Sequence, residues 1–185
     1  LVKTLERIGV SAIVFEDKVG FKKNSLFKNQ SGIKQDSISN FCKKLKKAKE
    51  SKISEYLFIV ARIESFILRK GLKDALRRAE EYSKAGADAI LIHSKEKTAR
   101  EIFSFSKIFS KSKFYKPLIA VPSTYSKTYE HELIKNNFKI VIYANHFLRA
   151  VQPAVVNVAK MILKNQRSFE VEKKISSINE VINFF

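Results

Sequence analysis

The feature that most constrains the fold is a unit that recurs along the chain: a helical segment, then a glycine or asparagine, then a short apolar run. The unit appears at residues 8–15 and 85–92, and more loosely at residues 136–143. Glycine and asparagine tolerate the left-handed backbone conformation that commonly ends a helix. Further apolar runs at residues 56–61 and 117–121 bring the number of predicted strands to five.

Amphipathic helices are predicted between these runs, because apolar side chains recur there at spacings of three and four residues. The predicted helices cover residues 37–49, 72–84, 97–110 and 129–136. Strands that alternate with helices imply right-handed crossovers and parallel pairing, so the predicted fold class is α/β. A (β/α) barrel and a doubly wound sheet both fit this pattern. The sequence has no G-x-G-x-x-G or Walker-type loop, which weakens the nucleotide-binding form of the doubly wound sheet.

Polar side chains follow the predicted strands, at the edge of the sheet where α/β folds keep their active sites. These strand-end residues are Glu16 and Asp17, Arg62 and Glu64, His93 and Ser94, Ser123, and Asn145 and His146. We expect Asn145 and His146 to cap and position the helix that follows them. Ser94 and Ser123 have no base in a nucleophile arrangement, so the sequence argues against a serine hydrolase.

The segment at residues 13–26 carries an apolar run that ends abruptly in charged residues. Neighbouring side chains of a strand point to opposite faces, so Glu16 faces the core if Val14 does, and Asp17 then faces away. A metal ion or a proton-transfer partner could hold such a carboxylate. Groups suited to an anionic substrate follow at Lys22, Lys23, Asn24 and Ser25. The plainer alternative is a strand that ends in solvated charges.

Composition narrows the class of protein. A chain of 185 residues has the length of one domain and can bury a substantial core. The formal charge of +18 is carried mainly by lysines spread along the predicted helices, so nucleic-acid binding is not predicted. No run of 18 apolar residues is present, so no membrane span is predicted.

Two features bear on where the protein resides and how it is made. The single cysteine, Cys42, excludes an internal disulfide and is compatible with a reducing cytoplasm. The sequence begins at Leu1, inside a predicted helix, and has no signal-peptide pattern. We therefore expect a fragment or a processed chain.

Several segments together resemble the phosphoenolpyruvate mutase family, within the broader isocitrate lyase and phosphoenolpyruvate mutase superfamily. The motifs occur in order, with compatible spacing, over essentially the whole chain. They are Glu16-Asp17-Lys18, Lys22-x-Asn24-Ser25-Leu26, residues 60–66, residues 71–79 with 85–90, residues 92–95 and residues 144–150. The resemblance is specific because several motifs agree.

The resemblance implies a (β/α)8 TIM barrel, of which this chain holds the last five βα units and C-terminal helices. Residues 1–150 are then a partial barrel, and residues 151–185 are a helical tail that packs on the barrel or on a neighbouring subunit. A homo-oligomer that exchanges the last barrel helix is also implied, in the cytoplasm, with neither nucleic acid nor membrane as partner.

The resemblance further implies an isomerase that interconverts phosphoenolpyruvate and phosphonopyruvate, forming a carbon–phosphorus bond for phosphonate biosynthesis, with Mg²⁺ as cofactor. In such a site Glu16 steadies the metal through water, Arg62 binds the anionic end of the substrate, and His93 hydrogen-bonds to it. A gating loop that closes over the substrate contains Lys22, Asn24, Ser25 and Leu26, with Asn24 reaching the phosphoryl group.

Two departures from the family pattern leave alternatives open. Phe21 stands where the family commonly has a proline, and the principal metal aspartates of the family's earlier strands have no match here. A phosphonopyruvate hydrolase of the same superfamily is the first alternative. A carbon–carbon lyase for a methylated tricarboxylic acid typically has a loop cysteine, which this chain lacks. An inactive fragment, or a subunit that only binds and assembles, is the remaining one.

Overall fold

The computed structural model describes residues 1–20, 24, 25, 27 and 30–184. These residues divide into two compact units, Leu1–Tyr143 and Ala144–Phe185. The predicted loop residues Lys22 and Leu26 lie outside the described part of the chain.

The first unit is built on five parallel strands that follow one another across the sheet in chain order. They are β1 (Ala12–Glu16), β4 (Phe58–Ile63), β5 (Ala89–Ile92), β6 (Leu118–Ala120) and β7 (Phe138–Val141). Two short strands, β2 (Lys18–Val19) and β3 (Lys34–Gln35), form a separate antiparallel ribbon. A strand order without reversal is typical of a (β/α) barrel, whereas a doubly wound sheet reverses at a switch point.

Helices occupy the segments between the strands, close to the predicted positions. They are α1 (Val2–Arg7), α2 (Ile38–Glu50), α3 (Gly71–Lys84), α4 (Arg100–Phe109), α5 (Glu130–Lys135), α6 (His146–Asn165) and α7 (Ile178–Ile182), with a 3₁₀ turn at Glu172–Lys174. The recurrent helix-ending residues have the expected left-handed backbone, with φ of 86° at Gly9, 106° at Gly86 and 63° at Asn137. This confirms the unit predicted from the sequence.

The two faces of the sheet have different surroundings. One face packs against the helices and forms the main core, with Ile59 and Ile63 of β4 and Ile90 and Ile92 of β5 among its members. The opposite face carries a smaller apolar cluster of Val60, Ala89, Leu91, Ile119 and Val121. Alternation along a strand assigns every second residue to each face.

The predicted orientation of the first strand end was wrong. Ile13 is buried against the helices, whereas Val14 is 44% exposed on the opposite face. Asp17 is therefore the fully buried carboxylate, at 0% exposure, and Glu16 is only half-buried on the other face. The alternation itself was correct. The apolar character of Val14 could not reveal which face the helices cover.

Asp17 joins the strand ends to the ribbon and to α3. Its backbone bonds to the Arg62 carbonyl and, through its own carbonyl, to the Asp36 amide. One carboxylate oxygen accepts from the Glu64 amide at 3.0 Å. The other accepts from Gln35 Nε2 at 2.8 Å, the Tyr82 hydroxyl at 2.8 Å and Arg78 Nη1 at 3.3 Å. A buried carboxylate with this many donors holds several segments in one arrangement.

The second unit contains the long helix α6, which runs continuously through Pro153. Asn145 occupies the amino-terminal capping position, but its side chain makes no capping hydrogen bond, contrary to prediction. In the described residues, no helix is both long enough and apolar enough to cross a membrane.

We predict that Asp17→Asn lowers the free energy of unfolding by about 3–5 kcal/mol, the usual cost of breaking a buried ion pair from one side. The carboxamide introduced by this substitution would direct an N–H donor toward the donors of Gln35 and Arg78, so these groups could no longer all be hydrogen-bonded. The control Glu50→Gln removes a carboxylate from the exposed Lys47–Glu50 pair and should cost no more than about 0.5 kcal/mol. Urea denaturation of both variants measures the difference; similar costs would contradict a structural role for Asp17.

Candidate active site

The candidate site lies at the carboxyl ends of β1, β4 and β5. Glu16 pairs in register with Arg62, and His93 directly follows Ile92 at the end of β5. Because Ile63 and Ile92 belong to the helix-facing core, Arg62 and His93 emerge on the opposite face, as Glu16 does. The structure thus brings together three of the predicted site residues.

Glu64 is the central carboxylate of this site, and it is fully buried at 0% exposure. Arg62 Nε donates to its Oε1 at 2.7 Å, and Lys18 Nζ lies 3.2 Å from its Oε2. Burial by itself would raise the pKa of Glu64, but the Arg62 and Lys18 cations and the Ser25 hydroxyl hold it below its ordinary value. Glu64 is therefore ionised and keeps both cations in place.

Ser25, one of the predicted loop residues, is buried among the same groups. Its hydroxyl donates to Glu64 Oε2 at 2.6 Å. The same hydroxyl accepts from Lys18 Nζ at 2.9 Å and from Arg62 Nη2 at 3.0 Å. A single hydroxyl with one donor and two acceptor sites is fully used by this arrangement. The loop is thereby tied to the strand ends at Ser25.

Asn24, the other described residue of the predicted catalytic loop, has an exposed side chain. Its backbone carbonyl accepts a hydrogen bond from Gln30 Nε2 at 2.9 Å. The paired strands Lys18–Val19 and Lys34–Gln35 lie on either side of this loop in the sequence and bring its two ends together. The ribbon was not predicted, because strands of two residues have no detectable periodicity.

Comparisons with known proteins decide the family. The family model described as phosphoenolpyruvate phosphomutase matches residues 1–163. The chain belongs to this family. A phosphoenolpyruvate phosphomutase from Tetrahymena pyriformis is 37% identical over 98% of the chain and 59% of the relative. The α/β fold of (β/α)-barrel type that the sequence predicted is thereby confirmed.

Solved structures of the family agree with this assignment. The crystal structure of phosphoenolpyruvate phosphomutase from Streptomyces platensis subsp. rosaceus superposes with a TM-score of 0.89 at 34% identity, over 98% of this chain and 62% of that one. A phosphonopyruvate hydrolase in complex with oxalate and Mg²⁺ has a TM-score of 0.85 at 35% identity, covering 99% and 61%. The chain spans about three-fifths of the length of these relatives.

Glu16 is the residue of this chain that the sequence resemblance predicts to act near a metal ion. Its Oε1 lies 3.0 Å from Lys18 Nζ, and its Oε2 lies 3.6 Å from Arg62 Nε. Carboxylate oxygens suit Mg²⁺, which keeps several waters and needs only one or two protein carboxylates. Across the described ranges, no group of three or more His, Cys, Asp or Glu side chains could hold a metal ion. The role of Glu16 at a metal ion stays a prediction.

His93 is held as a neutral imidazole. It is only 3% exposed, and its Nδ1 is buried with no hydrogen-bond partner in the described structure. Burial and the nearby Arg62 cation lower the pKa of His93 from 6.5 to about 4. A neutral buried imidazole with an unpaired nitrogen can hydrogen-bond to a ligand, but it does not supply a positive charge at neutral pH.

Sequence reasoning named Glu64 as a strand-end residue beside Arg62 and Lys18 within a motif, but it selected neither as a site residue. Both were visible: Lys18 stands in the Glu16-Asp17-Lys18 motif, and Glu64 is two residues from Arg62 and so shares its face of the chain. A same-face pair of opposite charges just beyond a strand is the signal that could have identified Glu64. The interaction of Lys18 with Ser25 depends on the path of the loop and had no such signal.

The pKa of His93 predicts a pH dependence of stability. Its folded pKa lies below the unfolded value, so the unfolded state binds the proton more readily, and stability falls as the pH drops from 6.5 toward about 4. We expect a loss of about 2 kcal/mol between about pH 6.5 and pH 5, at about 1.4 kcal/mol per pH unit. In His93→Gln this part of the loss should disappear. Urea denaturation at both pH values tests this, and an identical pH dependence in the variant would refute it.

Proposed function

We propose that the protein containing this chain is a phosphoenolpyruvate phosphomutase, an isomerase that interconverts phosphoenolpyruvate and phosphonopyruvate. The observation that carries the proposal is the buried group of Arg62, Lys18, Ser25 and Glu64 at the carboxyl ends of the strands, in a chain of this family. The reaction forms a carbon–phosphorus bond, so phosphonate biosynthesis is the corresponding process.

In the proposed reaction Arg62 binds the anionic end of the substrate. Its Nε donates to Glu64 at 2.7 Å and its Nη2 donates to Ser25 at 3.0 Å, which fixes the guanidinium plane; Nη1 would then face a ligand. Lys18 adds a second cation within the same group. Charge-assisted hydrogen bonds from a fixed fork give both affinity and orientation to a carboxylate or phosphoryl group. Glu64 acts as a positioning residue for both cations.

His93 serves as a hydrogen-bonding group for the substrate in this proposal. Its low pKa keeps it neutral, so it can donate or accept at neutral pH without altering the net charge. The unpartnered Nδ1 is consistent with a contact that forms only when a ligand is bound. A neutral imidazole does not add a further cation beside Arg62.

Mg²⁺ is the proposed cofactor. A phosphonopyruvate hydrolase related to this chain has been crystallised with Mg²⁺. When bound, the ion would neutralise negative charge on the substrate oxygens as a Lewis acid. In this chain Glu16 would orient water in the outer coordination sphere, and Lys18 and Arg62 would limit the movement of its carboxylate.

The loop residues favour a mutase over a hydrolase in this proposal. A mutase must hold the phosphoryl group beside the pyruvate enolate and exclude water, whereas a hydrolase must admit one water in line. The Asn24 amide can donate to a phosphoryl oxygen but is too weak a base to activate water. Ser25 ties the loop to the strand ends, and Lys22 and Leu26, outside the described residues, would complete the cover.

Phosphonopyruvate hydrolase is the second candidate function. The observation in its favour is that a hydrolase matches this chain at 35% identity, close to the 37% of a mutase. Both reactions need phosphonopyruvate held by cations, so Arg62 and Lys18 do not separate them.

Assembly and location complete the proposal. In α6 no residue is buried, and Phe147, Leu148 and Leu163 are among its exposed apolar side chains. Such a surface supports a homo-oligomer with exchanged helices, and residues 151–185 as a tail on the barrel or on a neighbouring subunit. The free thiol of Cys42 is compatible with the cytoplasm.

The function is tested by incubating the complete protein with phosphonopyruvate and Mg²⁺ and following phosphorus by NMR. We expect phosphoenolpyruvate as the main product, because the site is built to retain the phosphoryl group. Arg62→Lys keeps the charge but loses the planar guanidinium with its paired N–H donors, so kcat/KM should fall by roughly tenfold or more. Inorganic phosphate with pyruvate, and no phosphoenolpyruvate at any time, would establish the hydrolase instead.

The role of Glu16 is tested separately with Glu16→Gln in the complete protein. The amide keeps the shape but loses the charge, so the Mg²⁺ concentration for half-maximal activity should rise by roughly tenfold, as for other outer-sphere partners. The surface variant Glu50→Gln removes the same charge elsewhere and should leave this concentration unchanged. If both variants respond alike, Glu16 has no part in metal binding.

A further inference from the structure

A cavity of about 1370 Å³ lies outside the candidate active site. Its walls come from strand β3, from the segment between β4 and α3, and from the residues after β5. Glu16, Arg62 and His93 do not line it. Its volume exceeds that of an inorganic ion and suits a small organic molecule. Phe66 and Ile67 supply an apolar part of the wall.

Cationic side chains outnumber acidic ones in the described lining of the cavity. Its cationic lining residues are Lys34, Arg69, Lys70 and Lys95, against the acids Glu96 and Glu101. Glu101 is engaged by the Ser94 hydroxyl. Lys95 Nζ donates to the Phe27 carbonyl at 2.8 Å, whereas Lys34, Arg69 and Lys70 form no side-chain hydrogen bond or ion pair within the described residues.

The backbone beside these cations is shaped for an anion. The N–H groups of Arg69 and Lys70 donate to the carbonyls of Phe66 and Ser65, in a turn that ends at Arg69 with a left-handed φ of 57°. Gly71 opens the 14-residue helix α3, and Lys70 at its cap position contributes no side-chain cap. No acceptor within the described residues bonds to the N–H groups of Gly71 and Leu72. These are the groups that commonly bind phosphate at a helix start.

One further observation indicates that a ligand belongs here. Gln35 lines the cavity and is 9% exposed; its Nε2 donates to Asp17 and Ser65, but its buried Oε1 has no donor in the described structure. An unpartnered buried acceptor in the wall calls for a donor on the ligand.

We propose that this cavity binds a small organic phosphate or phosphonate as a second ligand, separate from the substrate. The tetrahedral oxyanion would lie at the start of α3, against the Gly71 and Leu72 amides and the side chains of Arg69 and Lys70. Lys34 would add charge from the ribbon. The organic part would contact Phe66, and its hydroxyl or amine would donate to Gln35. A doubly charged oxyanion matches the excess of cations better than a single carboxylate.

The test is a titration of the ¹⁵N-labelled chain with phenyl phosphate, followed by amide NMR. We expect saturable shifts at Gly71 and Leu72. Arg69→Gln should weaken binding by roughly tenfold or more, the usual effect of losing a charge-assisted hydrogen bond. The matched control is Arg77→Gln, which removes the same charge from an exposed position on the same helix and should bind as the unmodified chain does.

Lys70→Gln is the second variant, in case Arg69→Gln does not fold, and it should also weaken binding. Inorganic phosphate alone should shift the same amides but bind more weakly, because it lacks the organic part. Three outcomes would overturn the proposal: no saturable shift at Gly71 and Leu72, shifts confined to the surroundings of His93, or an equal loss in Arg77→Gln. Retained binding in His93→Gln would confirm that the site is separate, whatever reaction the protein catalyses.

Discussion

The buried carboxylate of Asp17 is the group on which the rest of the structure depends. One oxygen holds the Glu64 amide, and the other holds Gln35 of the ribbon together with Tyr82 and Arg78 of α3. A buried charge is costly unless donors surround it, so these segments must meet for the carboxylate to be satisfied. By fixing the Glu64 backbone, Asp17 also sets the position of the Glu64 side chain, which organises the candidate site.

The candidate site is a balance of charges on one face of the sheet. Glu64 and Glu16 offset Arg62 and Lys18, and Ser25 links Glu64 to both cations with a single hydroxyl. The cations nevertheless influence their surroundings, since Arg62 contributes to the low pKa of His93. A site of this kind can present donors to an anionic ligand beside a neutral imidazole.

The cavity beside α3 is the proposed site for a second anion. Gln35 takes part in both regions, because its amide nitrogen binds Asp17 and its side chain lines the cavity. The two regions nevertheless use different cations and different backbone segments. The lysine-rich composition by itself predicted no partner. The fold places several cationic side chains around the amides at the start of α3, which have no side-chain cap.

Local sequence determined the alternation of strands and helices, the left-handed residues at Gly9, Gly86 and Asn137, and the polar strand ends, because each depends on residue type and short-range periodicity. The motifs, taken together, also indicated the family. Only the tertiary structure decided that Asp17 rather than Glu16 is buried, since alternation defines two faces but not which one the helices cover. The linking of Lys18 to Glu64 through Ser25 likewise depends on the Ser25–Glu64 hydrogen bond between residues 39 positions apart in the chain, which no local pattern encodes.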